Sequence, residues 1–156
     1  MVDEDGNYRI NKTSNRDEVW CVFDRDIKKE NNNQQNFNEA IIFACNNNFD
    51  LAISNDAFEL WFLLHFSDYS SQTHRSSYKS MLTSKLKEGY DKSDIQLYRK
   101  FEDSQEQAIK NAATLWDSHD EKIVKYTDKT DKLIKKHNIN PSTTVHLLVE
   151  KLIQYL

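Results

Sequence analysis

The chain has 156 residues, 38% of them apolar and 12% aromatic, with a formal net charge of −4. This length suits one hydrophobic core and this composition a folded chain, while the negative balance offers no overall field for nucleic acid, so any such binding has to be local. No apolar stretch approaches the roughly 20 residues needed to cross a bilayer, and residues 1–16 are polar, without the apolar centre of a signal peptide.

A cytoplasmic protein is therefore expected. Cys21 and Cys45 have no CxxC spacing and both lie in apolar runs, so they read as reduced core thiols, not a disulfide or a zinc site. With only two glycines and one proline the chain should be rich in helix, and the Asn-rich stretches 31–33 and 46–48 read as loops.

In chain order, residues 1–17 form a polar N-terminal segment. The run Val19-Trp20-Cys21-Val22-Phe23 follows, apolar at every position, the pattern of a parallel strand buried on both faces. It stops at Asp24-Arg25-Asp26. Phe37, Ala40, Ile41, Ala44 and Cys45 recur at helical spacing over 37–45, and a second strand is predicted over 51–54. Strand, helix, strand makes a βαβ unit with a parallel crossover. Ser54-Asn55-Asp56 supplies helix-capping chemistry for a helix over 57–66, which is apolar except at Glu59 and His65 and therefore buried. No Lys or Arg occurs between 31 and 66, which places this stretch at the core.

Residues 67–100 change character, with seven Lys or Arg against four acids, and Tyr69, Tyr78, Tyr90 and Tyr98 interleaved. Helices are predicted over 78–87, ended by Gly89, over 104–116, and over 141–155 with Asn140 as cap and Pro141 at the first helical position. Residues 117–139 are charged and read as a solvated helix with a loop. The organisation is thus an α/β core over 18–66, with a small parallel sheet and flanking helices, followed by a mostly helical half over 67–156.

Asp24 and Asp26 stand two apart, directly after the first strand. In an extended chain such carboxylates face one point, and clustered oxygen donors suit Mg²⁺ or Mn²⁺. Sites of open parallel sheets form at the carboxyl ends of strands. Glu59, a lone acid in an apolar segment, sits in the first turn or so of the helix after the second strand, where topology brings it to the same edge. A nearby cation would offset the cost of burying it. The plainer readings are a solvated turn for the DxD, and for Glu59 a helix cap or a pairing with Arg25. His65 reads as a satisfied core histidine. The basic, tyrosine-bearing stretch reads as surface, with stacking and phosphate contacts as its functional alternative.

The string from Val19 to Asp26, the block Ser54-Asn55-Asp56-Ala57-Phe58-Glu59-Leu60-Trp61-Phe62-Leu63-Leu64-His65-Phe66, and Asn140-Pro141-Ser142-Thr143 together resemble the RloB family, also described as AbiLii-type abortive-infection proteins. The family's usual block has Pro where this chain has Asp56. The resemblance covers residue 18 to the end and implies a single domain of toprim-like type, a metal-dependent nuclease fold found beside an ATPase partner in phage-defence loci. In toprim domains a DxD binds Mg²⁺ and a glutamate after the first strand is the general acid/base. The DxD carries over onto Asp24 and Asp26, and the acid of the middle block onto Glu59. The toprim glutamate has no counterpart, and the family's N-terminal strand, helix and second strand are expected to be missing. A sheet shortened in this way exposes an edge that invites dimerisation or pairing with a partner.

Two functions follow as expectations. One is a Mg²⁺- or Mn²⁺-dependent nuclease acting on DNA or RNA, with Asp24, Asp26 and Glu59 as ligands or catalytic acids. The other is a non-catalytic interaction subunit for an AAA-type ATPase, the activity lost with the glutamate. A phosphate-binding regulatory module is a third.

Overall fold

The computed structural model describes residues 17–26 and 34–156. The run of β-branched and aromatic residues at the start forms β1, Trp20–Asp24. Helix α1, Gln34–Asn46, carries the chain to β2, Asp50–Asn55, which pairs with β1 in parallel, Trp20 opposite Asp50 and Asp24 opposite Ser54. The βαβ unit read from the sequence is present. A short third strand, β3, Ser142–Thr143, returns antiparallel to β2, so the sheet is mixed, in the order β1-β2-β3.

Five further helices complete the described residues: α2 (Glu59–Leu64), α3 (Tyr78–Leu86), α4 (Gln105–Asp117), α5 (Lys129–His137) and α6 (Val145–Ile153). The α/β class with a helical C-terminal half is as expected. No helix among the described residues is long and apolar enough to cross a membrane.

Two apolar clusters hold these elements. One lies between α1 and the sheet, where Phe37, Ile41 and Ala44 meet Leu51 and Ile53. The half-buried Cys21 and Cys45 pack against it as free thiols, and burial raises the Cys21 pKa. The larger cluster gathers α2, α3 and α4 around Leu60, Leu64, Tyr78, Leu82 and Ala108, all fully buried. Each buried leucine there contributes about 1.5–3 kcal/mol.

Several expectations are corrected. The strand buried on both faces is β2, the middle strand, whose residues from Leu51 to Asn55 are all buried. Edge strand β1 is half-buried, with Val22 53% exposed. The stretch without Lys or Arg is not uniformly core, since α1 buries a single stripe and leaves Ala40, Ile42 and Phe43 exposed.

Ser54, Asn55 and Asp56 cap no helix. Ser54 Oγ meets Thr143 Oγ1 at 3.0 Å, Asn55 Nδ2 donates to the carbonyls of His137 and Ile139, and Asp56 accepts from the Arg75 N–H at 2.9 Å. Helix α2 begins without a side-chain cap. Pro141 is not at a helical first position. The residues after it pair with β2, so α6 starts at Val145, and Asn140 instead exchanges hydrogen bonds with the Thr73 backbone. Helix α3 ends at Leu86, capped by Lys87 in the left-handed conformation, and Gly89 two residues on also has a positive φ. The charged stretch 117–139 is not wholly solvated, because Lys136 and His137 at the end of α5 are buried.

Candidate functional site

The parallel pairing ends at Asp24 opposite Ser54, and one further ladder bond, Arg25 N–H to Ser54 O at 3.0 Å, holds the next residue. The chain then leaves extended geometry, with φ of +26° at Asp26. Asp tolerates this region better than most side chains. Asp24 and Asp26 therefore do not converge by strand alternation, as the sequence pattern suggested. What unites them is Arg75, in the short 3₁₀ turn Arg75–Ser77 before α3. Its guanidinium forms an ion pair with Asp26 and lies 3.8 Å from the Asp24 carboxylate. The Arg75 backbone is fixed from below by Asp56, itself 1% exposed.

Glu59 is the first residue of α2, within the first turn where topology placed it, and it is half-buried. It neither pairs with Arg25 nor caps its helix. Arg25 turns away, donating to Asn138 O at 2.9 Å with its guanidinium 5.7 Å from the Phe37 ring centre. Among the described residues, the hydrogen-bond partner of Glu59 is the phenol of Tyr90, at 3.4 Å, and no cation stands within ion-pair distance of it. Tyr90 is 7% exposed. Burial and the Glu59 carboxylate push its pKa up, so it remains a protonated donor at neutral pH.

Asp24 is held above the usual carboxylate range. Burial is the main cause, Glu59 and Asp26 add repulsion, and the Phe58 N–H and Arg75 pull the other way. The field of Glu59 thus reaches Asp24, and the three acids of the sequence reading lie at one edge, above the carboxyl ends of the two parallel strands.

The donor set is all oxygen, which suits a hard divalent cation. The positive charge these two carboxylates share in the fold is that of the Arg75 guanidinium. Among the described residues no three acid, histidine or cysteine side chains stand close enough to hold an ion. Glu59 is thus a neighbour of the pair, not part of a closed cage. His65 is a core histidine, as expected. It is 6% exposed, its Nδ1 lies 2.9 Å from Trp61 O, and burial lowers its pKa.

Beside Glu59 opens a groove of about 490 Å³, lined by Glu59, Lys79, Tyr90, Asp91, Lys92 and Ser93. Arg75, Lys79, Tyr90 and Lys92 belong to the basic, tyrosine-bearing stretch 67–100, whose composition marks the segment but does not join these side chains to the acidic edge.

No curated protein and no solved structure matches the chain. The family model described as RloB-like protein matches residues 2–152. That match spans both strands bearing the acidic edge and nearly the whole described helical half, and it begins upstream of the motifs noted above. On this match, the chain belongs to the RloB-like protein family.

Proposed function

We propose that this chain carries a divalent-cation-dependent site for hydrolysing nucleic-acid phosphodiesters, of toprim-like type, working in phage defence or abortive infection beside an ATPase partner. The observation that supports it best is the shared hold of Asp24 and Asp26 on one cationic group, with Glu59, which has no ion-pair partner among the described residues, beside them. In this reading Asp24 and Asp26 would hold Mg²⁺ or Mn²⁺. The ion would neutralise charge developing on the phosphoryl group and orient the attacking water. Arg75, bonded to half-exposed carboxylates in exchangeable ion pairs, is placed to take phosphate oxygens with its paired N–H groups. Tyr90 keeps its proton and fixes Glu59. Lys79 and Lys92 give the adjoining groove cations for a strand's backbone. A cytoplasmic setting goes with this reading.

The second reading is a non-catalytic subunit that binds an ATPase, singly or as a homodimer. It is favoured by the Arg75 guanidinium lying against both aspartates and by the lack of a three-acid cluster among the described residues. The experiment is cleavage of supercoiled plasmid and of RNA with Mg²⁺ or Mn²⁺, using the full chain, Asp24→Ala and Asp26→Ala. Cleavage lost in both variants supports the site, and cleavage that survives both removes it. A chain that neither cleaves nor releases heat with Mn²⁺ favours the second reading.

A further inference from the structure

Between the 3₁₀ turn Asp120–Lys122 and α5, the chain runs Ile123-Val124-Lys125-Tyr126 without helix or strand pairing. Two β-branched residues and an aromatic make this a strand-forming sequence. Yet no strand lies against it among the described residues. Val124 is 85% exposed and Tyr126 50%.

The segment is nevertheless held in place. At its entry the Ile123 N–H donates to Asp120 O at 3.3 Å, and Ile123 has φ of −109°. At its exit the Thr127 N–H donates to Asp131 at 2.8 Å. In the middle, Lys135 Nζ donates to Lys125 O at 2.9 Å while also pairing with Asp131 at 2.9 Å. A segment fixed at three points has already met much of the ordering cost that binding would impose.

Beside it lies a hollow of about 520 Å³, lined by Lys122, Ile123, Val124, Lys125, Lys135 and Ile139. Three lysines and three branched aliphatic residues line it, and no carboxylate does. Lys132, 5.4 Å from the Tyr126 ring centre, pairs with Asp120 at 2.6 Å.

We infer that 123–126 is a docking strand for an acidic, extended segment of a partner protein, added by main-chain pairing with its alternate apolar side chains in the lysine-rimmed hollow. Lys122 and Lys125, which have no ion-pair partner among the described residues, select an acidic occupant. The exposed, strand-prone main chain selects an extended one. No residue of this surface belongs to the acidic edge, so the inference does not rest on the nuclease reading.

The test uses the full chain and a fluorescent short peptide alternating glutamate and valine, read by anisotropy. Binding is expected that weakens steeply with salt. It should fall at least about tenfold, roughly 1.4 kcal/mol, when alternate peptide amides are N-methylated, since methylation removes the pairing donors. The paired change Lys122→Glu and Lys125→Glu should cause a similar loss with helical circular dichroism unchanged. No binding, or equal binding by a peptide of the same composition with its glutamates and valines in separate blocks, would overturn the inference. So would sedimentation showing a dimer that Val124→Pro converts to monomer, which would assign the segment to a second copy.

Discussion

Lowering the pH should destabilise this protein chiefly through two buried histidines, His137 and His146, and His137 is the more isolated. The residue is 0% exposed, neither ring nitrogen has a hydrogen-bond partner, and its ring centre lies 4.6 Å from that of Trp116. Burial, followed by repulsion from Lys136 and His119, lowers its pKa from 6.5 to about 3. The sign follows from which state takes the proton. The unfolded chain binds it as pH falls through 6.5, whereas the folded chain refuses it until about 3. The stabilisation is therefore complete above 6.5 and is lost progressively toward 3.

At about pH 5 the solution lies roughly 1.5 pH units below the unfolded value. At ~1.4 kcal/mol per unit, His137 then costs about 2 kcal/mol. His146, 2% exposed with Nδ1 unpartnered, is lowered to about 4 by burial and adds a similar amount at that pH. Together these are a sizeable part of a typical 5–15 kcal/mol stability. The assay is urea unfolding followed by circular dichroism at about pH 8 and pH 5, on the wild type and on His137→Leu. The substitution should reduce the acid-induced loss by about half. A variant that loses as much stability between the two pH values as the wild type would refute the assignment.

Three further outcomes are expected. Arg75→Ala should raise Mn²⁺ affinity by about tenfold in calorimetry, about 1.4 kcal/mol, because it frees Asp24 and Asp26; weaker or unchanged binding would mean that Arg75 does not compete with a cation. Leu60→Ala, at a fully buried position of α2, should cost 2–5 kcal/mol in urea unfolding, and a loss below about 1 kcal/mol would contradict the close packing described there. Asn55→Ala should cost about 1–3 kcal/mol by stranding the buried carbonyls of His137 and Ile139, and unchanged thermal unfolding would show that those bonds are replaced.

The elements that periodicity could mark were legible in the sequence. The apolar run of β1, the stripe of α1 and the block around α2 appear close to where they were expected. Glu59 reached the right edge because topology alone placed it at the start of α2. What escaped depended on distant partners. Ser54, Asn55 and Asp56 have the chemistry of helix caps, but residues some 80 positions away take up Ser54 and Asn55, and local pattern carries no information about them. Strand β3 is two residues long, too short for any alternation to register. The burial of His137 was hidden because two lysines precede it and an asparagine follows, and that of β1 was overestimated because its composition does not show that it stands at the edge. Arg75 went unnoticed for a similar reason. A guanidinium in a Ser-rich turn looks like surface until the fold sets it against two aspartates.

The joining of β2 to the far end of the chain also bears on how the protein emerges during synthesis. Thr144 N–H donates to Ile53 O at 2.9 Å, and its hydroxyl serves Ile53 N–H and Leu51 O, across sequence separations of 91 and 93. At about 5–20 residues per second, those partners arrive roughly 5–20 s after β2 has been made. Until then the central strand lacks its second neighbour, and the edge bearing Asp24 and Glu59 rests on two of the three strands. The acidic site is therefore among the last parts of the molecule to be completed, whatever the order in which its own residues are translated.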